Sequence, residues 1–366
     1  MNSKGSVDCI VVGGGLVGML SAWFLVREGL AVAVLERGGL CRESSWAGGG
    51  IVSPLVPWEY PDGVTSLVAW SQRHYPQLVQ ELLTETGTDP EWTRSGMLLL
   101  DTVLSADIAA WCTQHLVEVQ VLEPAAVRVV EPALAPADTP GLLLPAVAQL
   151  RNPRLCAALR HRLLQLGVQL HEQSEVLRLR HANGRVLGVE TAQGSLPAAR
   201  VVIAGGAWSG GLWPGPELPL TPVRGQMIQF QASPGLLRHV VQSAGYYLIP
   251  RRDGLVLAGS TLEYVGFDKS TTAAARDRLQ AQALRIAPAL AECPVVRHWA
   301  GLRPGTPDGI PYICEHNEIK GLYLNAGHFR NGVVMGPASA RILADLVLGC
   351  RATLDERPYA CAAPVS

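Results

Sequence analysis

Two α/β parts of different character are expected of this chain, and three observations lead there. Near the N-terminus an apolar, β-rich run breaks into glycines and then becomes helix, in "DCIVVGGGLVGMLSAWFLVREGLAVAVLER". The middle, about Pro219 to Ala300, is instead a series of alternating or apolar strands with one helix, which suits a mixed or antiparallel sheet. Third, 366 residues are long for a single core, so two parts sharing an interface are expected.

Composition narrows the class. Hydrophobic residues make up 48% of the chain and charged residues 17%, below the ~25% of an average domain, which argues for extensive buried surface and against disorder. A net charge of −1 gives nucleic acid or an anionic membrane no electrostatic reason to bind. The apolar run from Leu16 to Val26 follows Asp8 and the glycines and falls far short of the ~20 residues of a membrane span, so a soluble, cytoplasmic protein is expected. The eight cysteines are scattered, with no C-x-x-C pair and no close histidine. No metal site or disulfide framework is expected, and the thiols read as reduced and mostly buried.

Cys9–Val12 reads as a strand, followed at once by Gly13-x-Gly15-x-x-Gly18. An apolar helix then runs to about Glu28, Gly29 stops it, and a second strand from Ala31 to Leu35 ends at Glu36. A phosphate cradle needs that order. Gly13 permits the tight turn, Gly15 lets the backbone approach a pyrophosphate, and Gly18 lets the helix pack closely on the sheet. Unpaired N–H groups and the helix dipole favour anionic oxygens at that helix end. Glu36 stands where an acid accepts hydrogen bonds from the ribose hydroxyls of a dinucleotide. A Rossmann-like part is therefore expected, and the motif by itself fits FAD and NAD equally.

Next, "GGLCRESSWAGGGIVSP" is a small-residue segment that either passes its backbone close to a large planar ligand or forms a surface loop. A helix is expected from about Thr65 to Glu85, a strand at "GMLLLD", and a helix opened by Asn152-Pro153 that stops near Gly167. "VQLHEQSEVLRLRHANGRVLGVETAQG" reads as strands joined by a hairpin at Asn183-Gly184. "ARVVIAGGAWSGGL" reads as a strand ending in glycines and entering a helix. In the second part "PVRGQMIQFQ", "YYLIPRR" and "GLVLAGSTL" are strands, and a helix is expected from about Thr271 to Ile286. Alternation sends Tyr246 and Tyr247 to opposite faces. Leu322–Ala326 is a strand followed by Gly327, a turn, and a helix from near Gly332, a third helix N-terminus aimed at the ligand region. The tail after Cys350 reads as an exposed end.

Together these segments resemble the FAD-dependent D-amino acid oxidase family, most closely its glycine oxidases linked to thiamine biosynthesis. The resemblance is carried by "VVGGGLVG" with Glu36, "VIAGGAWS", "VRGQM", "YLIPR", "AGLRPGTPDGIPYI" and "GHFRNGVVMGPASA", in family order over nearly the whole chain. It implies an FAD-binding domain of glutathione-reductase type from residues 1–85, 145–218 and 303–366. An α+β substrate-binding domain would come from 86–144 and 219–302. It further implies non-covalent FAD and oxidation of glycine, sarcosine or a small D-amino acid by hydride transfer to flavin N5. The imine would be hydrolysed to the 2-oxo acid plus ammonia or amine, with oxygen reduced to hydrogen peroxide. The alternatives are a D-amino acid or cyclic imino acid dehydrogenase passing electrons to a quinone or another acceptor, a non-catalytic flavoprotein, and an NAD enzyme sharing the fingerprint. Homo-oligomerisation stays open.

By the same resemblance Arg303 and Tyr247 hold the substrate carboxylate, and Arg330 lies near flavin and substrate. The chemistry agrees, because a guanidinium binds a carboxylate through two parallel hydrogen bonds and a phenol adds a third. The FAD-contacting set implied is Gly13, Gly15, Leu16, Val17, Gly18, Glu36, Arg37, Ser44, Ser45, Ala47, Gly48, Gly49, Val176, Ala204, Gly205, Trp208, Arg303, His328, Arg330, Asn331, Gly332 and Val333. His328 is not needed as a base, since hydride transfer from a neutral amine requires no strong one. Leu262 stands at an expected pocket-wall position. Gly301 stands where related sarcosine oxidases carry a flavin-linking Cys, so no covalent link is expected and Cys314 reads as a buried thiol.

Overall fold

The computed structural model describes residues 7–136 and 139–361. The first half forms β1 (Cys9–Val12), α1 (Leu16–Arg27), β2 (Val32–Leu35), α2 (Ser44–Ala47), α3 (Asp62–Thr86), β3 (Met97–Leu99), α4 (Ala106–Gln114), β4 (Gln120–Leu122), α5 (Pro124–Val130) and β5 (Gly141–Leu144). Next come α6 (Asn152–Gln165), β6 (Gln169–His171), β7 (Val176–Ala182), β8 (Arg185–Thr191), β9 (Gly194–Pro197) and β10 (Arg200–Ile203). The remainder is β11 (Thr221–Gln231), β12 (Val240–Ser243), β13 (Tyr246–Pro250), β14 (Leu255–Gly259), α7 (Ala273–Ile286), β15 (Val295–Gly305), β16 (Tyr312–Glu315), β17 (Leu322–Ala326) and α8 (Gly332–Leu348).

β1, β2 and β10 are short apolar runs because both faces of their sheet are covered. The sheet runs β16-β17-β10-β1-β2-β6 and is parallel except at β16. On one face, side chains of α1, α3, α6 and α8 pack with Val11, Val34 and Val202. On the other, Val176, Val186 and Val189 of the antiparallel β7-β8-β9 sheet cover Ile10, Val201 and Ile203. β1, β10 and β17 run in the same direction and end at one edge, where Gly13, Ala204 and Gly327 follow. Ligands of open α/β sheets bind at such an edge.

The second sheet runs β15-β11-β14-β13-β12-β3-β5-β4, with β12 and β3 its parallel pair. Ile228, Phe230 and Leu248 point to α7, where they meet Leu279 and Ala283. Met227, Tyr247, Ile249 and Leu257 occupy the opposite face. Tyr246 packs with the α7 side, so the two tyrosines do part as alternation requires.

Two expectations need correction. The segment after β10 is a 3₁₀ turn at Gly206–Gly211, not an α-helix, because Gly206 leaves the helical region at φ +57° and glycines supply little helix propensity. The tail is not simply exposed: Tyr359 is 1% accessible and its hydroxyl donates to Gly63 O at 2.8 Å. Residues 362–366 of that tail lie outside the described ones. All eight cysteines are free. Five are buried, but Cys350 is exposed and Cys293 and Cys361 are half-buried. Among the described residues no helix is long and apolar enough to cross a membrane, and no three His, Cys, Asp or Glu are grouped to hold a metal.

Candidate active site

A cavity of about 450 Å³ opens at the edge where β1, β10 and β17 end. The glycines that begin it are fixed by close approach. Gly13 has φ +113°, and a Cβ there would stand 2.4 Å from Ala204 O. A Cβ on Gly18 would stand 2.0 Å from Gly13 O, so α1 can sit this near the turn only without a side chain. α1 starts at Gly15 with no side-chain cap, and the Leu16 N–H donates to Ser45 Oγ at 2.8 Å. Gly13, Gly15, Leu16 and Val17 thus present a helix N-terminus to the cavity. Glu36 accepts from Gly14 N–H at 2.8 Å and Gly38 N–H at 2.9 Å. It braces the turn and lines the cavity, and each oxygen keeps a second lone pair.

Arg37, Ser44, Ser45, Gly48, Val176, Ala204, Gly205 and Trp208 line the same cavity. The Arg37 guanidinium lies 3.9 Å from the Trp208 ring centroid, and Phe267 stacks on that ring at 5.4 Å. A second helix N-terminus reaches the cavity at Gly332 and Val333 of α8, again with no side-chain cap. Gly18, Ala47, Gly49 and Asn331 stand behind the wall. Ala47 fills the space where a Gly301 side chain would begin, Gly49 packs under Ile249, and Asn331 starts α8 by accepting from Met335 N–H.

Arg303, near the end of β15, lines the cavity and is held from behind. Nη1 donates to Thr261 O at 3.1 Å and Nη2 to Ser260 Oγ at 2.8 Å. Nε and one hydrogen on each Nη remain for a planar anion. Burial lowers its pKa from the ordinary 12.5, the Tyr247 phenol raises it, and the like charge of Arg330 lowers it again. The guanidinium stays charged, as arginine does in proteins. Its supports are themselves braced, because buried Arg224 pairs with Glu263 and Asp268 in the segment that supplies Ser260 and Thr261. Tyr247 is buried beside Arg303 and is not part of the cavity wall; its hydroxyl points to Met227 Sδ at 3.8 Å.

Arg330 is exposed at the cavity and makes no ion pair among the described residues. His328 also lines the cavity and is buried. The Ser339 hydroxyl donates to Gly336 O, so His328 donates from Nε2 to Ser339 Oγ at 2.9 Å. Burial pulls its pKa down to about 3, which keeps the imidazole neutral. Leu262 is 47% exposed and lies away from the cavity, so it forms no pocket wall.

Several site residues escaped the sequence reading. Cys41, Glu43, Leu177, Phe329 and Asn325 line the cavity. Asn325 is 1% exposed, gives Nδ2 to Ser21 Oγ, and leaves Oδ1 without a protein partner. Arg251, the last residue of "YLIPR", is buried and donates to Gln149 Oε1, Leu150 O and Gly49 O. It ties β13 to the loop behind α2. That motif was the available signal.

Residues 8–346 match the family described as FAD dependent oxidoreductase. The chain belongs to that family. Its similarity to curated members spans almost the full length: it is 45% identical to the glycine oxidase of Pseudomonas putida over 97% of this chain and 98% of that one. It is 47% identical to the glycine oxidase of Pseudomonas aeruginosa, over 96% and 97% of the two chains. The crystal structure of glycine oxidase from Geobacillus kaustophilus superposes with a TM-score of 0.90 at 29% identity, covering 99% of this chain and 100% of that one.

The residues present fit the family's cofactor. Two helix N-termini whose own N-cap residues give no side-chain cap converge on one cavity, Gly13 and Gly18 leave no room for side chains in the turn, and the buried Asn325 Oδ1 has no protein donor. An acid closes β2 where a ribose would need acceptors. This FAD-dependent oxidoreductase has the chemistry of a dinucleotide site in its own backbone.

Proposed function

We propose that this chain oxidises glycine, sarcosine or small D-amino acids to the imine, which water hydrolyses to the 2-oxo acid plus ammonia or amine, with oxygen reduced to hydrogen peroxide. The names of the relatives support an amino acid oxidase, and the observation that carries the reading is Arg303. Its guanidinium is anchored on Ser260 and Thr261 yet keeps three N–H groups in a cavity with no facing carboxylate partner among the described residues. A carboxylate is the ligand such a fork fits.

When bound, FAD supplies the hydride-accepting chemistry at N5. The chain's own residues do the rest. α1 and α8 offer N–H groups and positive dipole ends to the anionic parts of the cofactor, and Glu36 offers acceptors to its ribose. Arg303 orients the substrate by its carboxylate, Tyr247 supports that guanidinium, and Arg330 adds positive charge at the mouth. Neutral His328 holds the turn before α8 and takes no proton. In this reading the first sheet and the helices packed on it hold the cofactor and the second sheet holds the substrate. β15 runs unbroken to Gly305, so Arg303 belongs with the second sheet and not with the cofactor part that the sequence division at 303 gave it.

Attachment of the flavin is non-covalent. A Cβ on Gly301 would stand 2.6 Å from Ala47 Cβ, which leaves no space for a linking side chain. Cys314 lies in the β16 core away from the cavity, and burial pushes the cavity's Cys41 thiol well above its ordinary 9.0. The test is peroxide release on adding glycine, sarcosine, D-alanine or D-proline. Turnover of at least one is expected. Peroxide with none of them contradicts the reading.

A further inference from the structure

On the face that carries Arg303, the eight-stranded sheet has a row of residues that lacks side chains at three points, Gly225, Gly259 and Gly301. Register pairs Gly225 with Gly301, Met227 with both Trp299 and Gly259, and Gly259 with Tyr247. Residues two apart share a face, so Arg303, two beyond Gly301, lies diagonally across from Gly225. Its guanidinium folds back over that glycine. A Cβ on Gly225 would stand 2.1 Å from Arg303 Nη1 and 2.3 Å from both Cζ and Nη2. The Tyr247 ring crosses Gly259 in the same way, and a Cβ there would stand 2.9 Å from Cε2, Cζ and the hydroxyl oxygen.

We propose that Gly225 and Gly259 are positioning residues: their missing side chains form the floor on which the Arg303 guanidinium and the Tyr247 phenol lie flat, and so set where a substrate carboxylate is held. The inference rests on the proposed role of Arg303 in carboxylate binding and adds what fixes its position. Gly225 lies inside β11 with no positive φ, so the backbone does not demand glycine there. Strands otherwise disfavour glycine interiors, because the residue loses entropy and packs nothing. A need for close approach by another group explains its presence. Here that group is the end of a flexible side chain rather than backbone.

This gives an unusual expectation for Gly225→Ala. The added methyl displaces the guanidinium and leaves the strand intact. The variant should retain FAD and melt at the wild-type temperature or above it, since Ala suits a strand interior better than Gly. Its carboxylate binding should nevertheless weaken. Gly259→Ala should act in the same direction and less strongly, since the ring need shift only a few tenths of an ångström.

The probe is acetate, a carboxylate without an amine, titrated into FAD-loaded enzyme and read from the flavin absorbance, with thermal melting alongside. For Gly225→Ala the acetate Kd should rise at least about tenfold, the scale of losing one charge-assisted hydrogen bond. Glycine KM should rise in parallel. In an Arg303→Lys background the same substitution should add little, because the fork it displaces is already gone. Wild-type acetate affinity in Gly225→Ala, an equal effect in the Arg303→Lys background, or failure of Gly225→Ala to fold would each overturn the inference. Arg303→Ala in the same titration separates the two levels. Unchanged acetate binding there defeats the Arg303 reading itself, whereas weakened binding there with none in Gly225→Ala defeats only the floor.

Discussion

Arg303 is held by Ser260 and Thr261, both in the loop after β14 and apart from the Gly13–Gly18 turn, so the residue can be changed without touching that turn. Arg303→Lys keeps the charge and loses the planar fork, and should cost about 2–4 kcal/mol in transition-state binding, roughly thirty- to a thousand-fold in kcat/KM for glycine. Arg303→Ala should be worse, since the carboxylate is then desolvated without a partner. Tyr247→Phe should cost less, about 1 kcal/mol or below, because its hydroxyl lies behind the cavity wall and points to Met227 Sδ. Steady-state kinetics on holoenzyme of equal flavin content checks all three, and wild-type kcat/KM in Arg303→Lys would make the residue structural. Glu36→Ala removes the acceptor for two backbone N–H groups as well as for a ribose. FAD affinity should fall tenfold or more, at about 1.5–3 kcal/mol per charge-assisted bond. An unchanged FAD Kd would contradict the cradle. His328 carries a pH signature. Its folded pKa, about 3, lies below the ordinary 6.5, so the unfolded chain binds the extra proton between those values. Its contribution is fully present above pH 6.5 and is lost as pH falls, by up to about 1.4 kcal/mol per pH unit. His328→Gln should flatten that acid limb in denaturant titrations, and an identical limb in both proteins would count against a buried neutral imidazole.

Helices and turns show why some glycines are replaceable and others are not. Gly29 ends α1 at φ +89° with nothing within 4 Å of a Cβ, so Gly29→Ala should cost only the left-handed backbone strain of about 1–2 kcal/mol. At Gly18 the added Cβ would meet backbone, the Gly13 carbonyl at 2.0 Å. Gly18→Ala should destabilise by about 3 kcal/mol or more and strip FAD from the purified protein. Urea unfolding and flavin content of the two variants make the comparison, and equal losses would contradict it. The legible parts of the sequence are of this local kind. The turn after β1, the hairpin at Asn183-Gly184 and the start of α8 each need glycine, Asn or Pro within a few residues, so they leave a mark. α4, α5 and β4 are short, partly exposed and without periodicity, and went unread. The burial of Arg251 was invisible because its partners are distant, Gln149 lying 102 positions away in the chain. Alternation parts Tyr246 from Tyr247 without saying which faces the site, and the position of Tyr247 behind the cavity wall depends on Gly259 and Met227 in other strands.

In the whole molecule, one sheet ends in two helix N-termini and the other brings Arg303 up to the same cavity. A helix dipole pair on one side and a guanidinium fork on the other fit a large anionic cofactor and a small anionic substrate meeting at one place. With Gly301 blocked by Ala47 and the Cys41 thiol protonated, the flavin should leave with the supernatant when the yellow protein is precipitated in acid. Flavin that stays in the pellet would refute non-covalent binding. The central claim, that the cavity joins FAD to an amino acid held by Arg303, is tested most directly by mixing holoenzyme with glycine in the absence of oxygen and following the visible flavin absorbance. Wild type should bleach, recover its colour with release of peroxide when oxygen is admitted, and bleach far more slowly as Arg303→Ala. A wild-type enzyme that keeps its colour with glycine, sarcosine and small D-amino acids alike, or an Arg303→Ala enzyme that bleaches as fast as wild type, would contradict it.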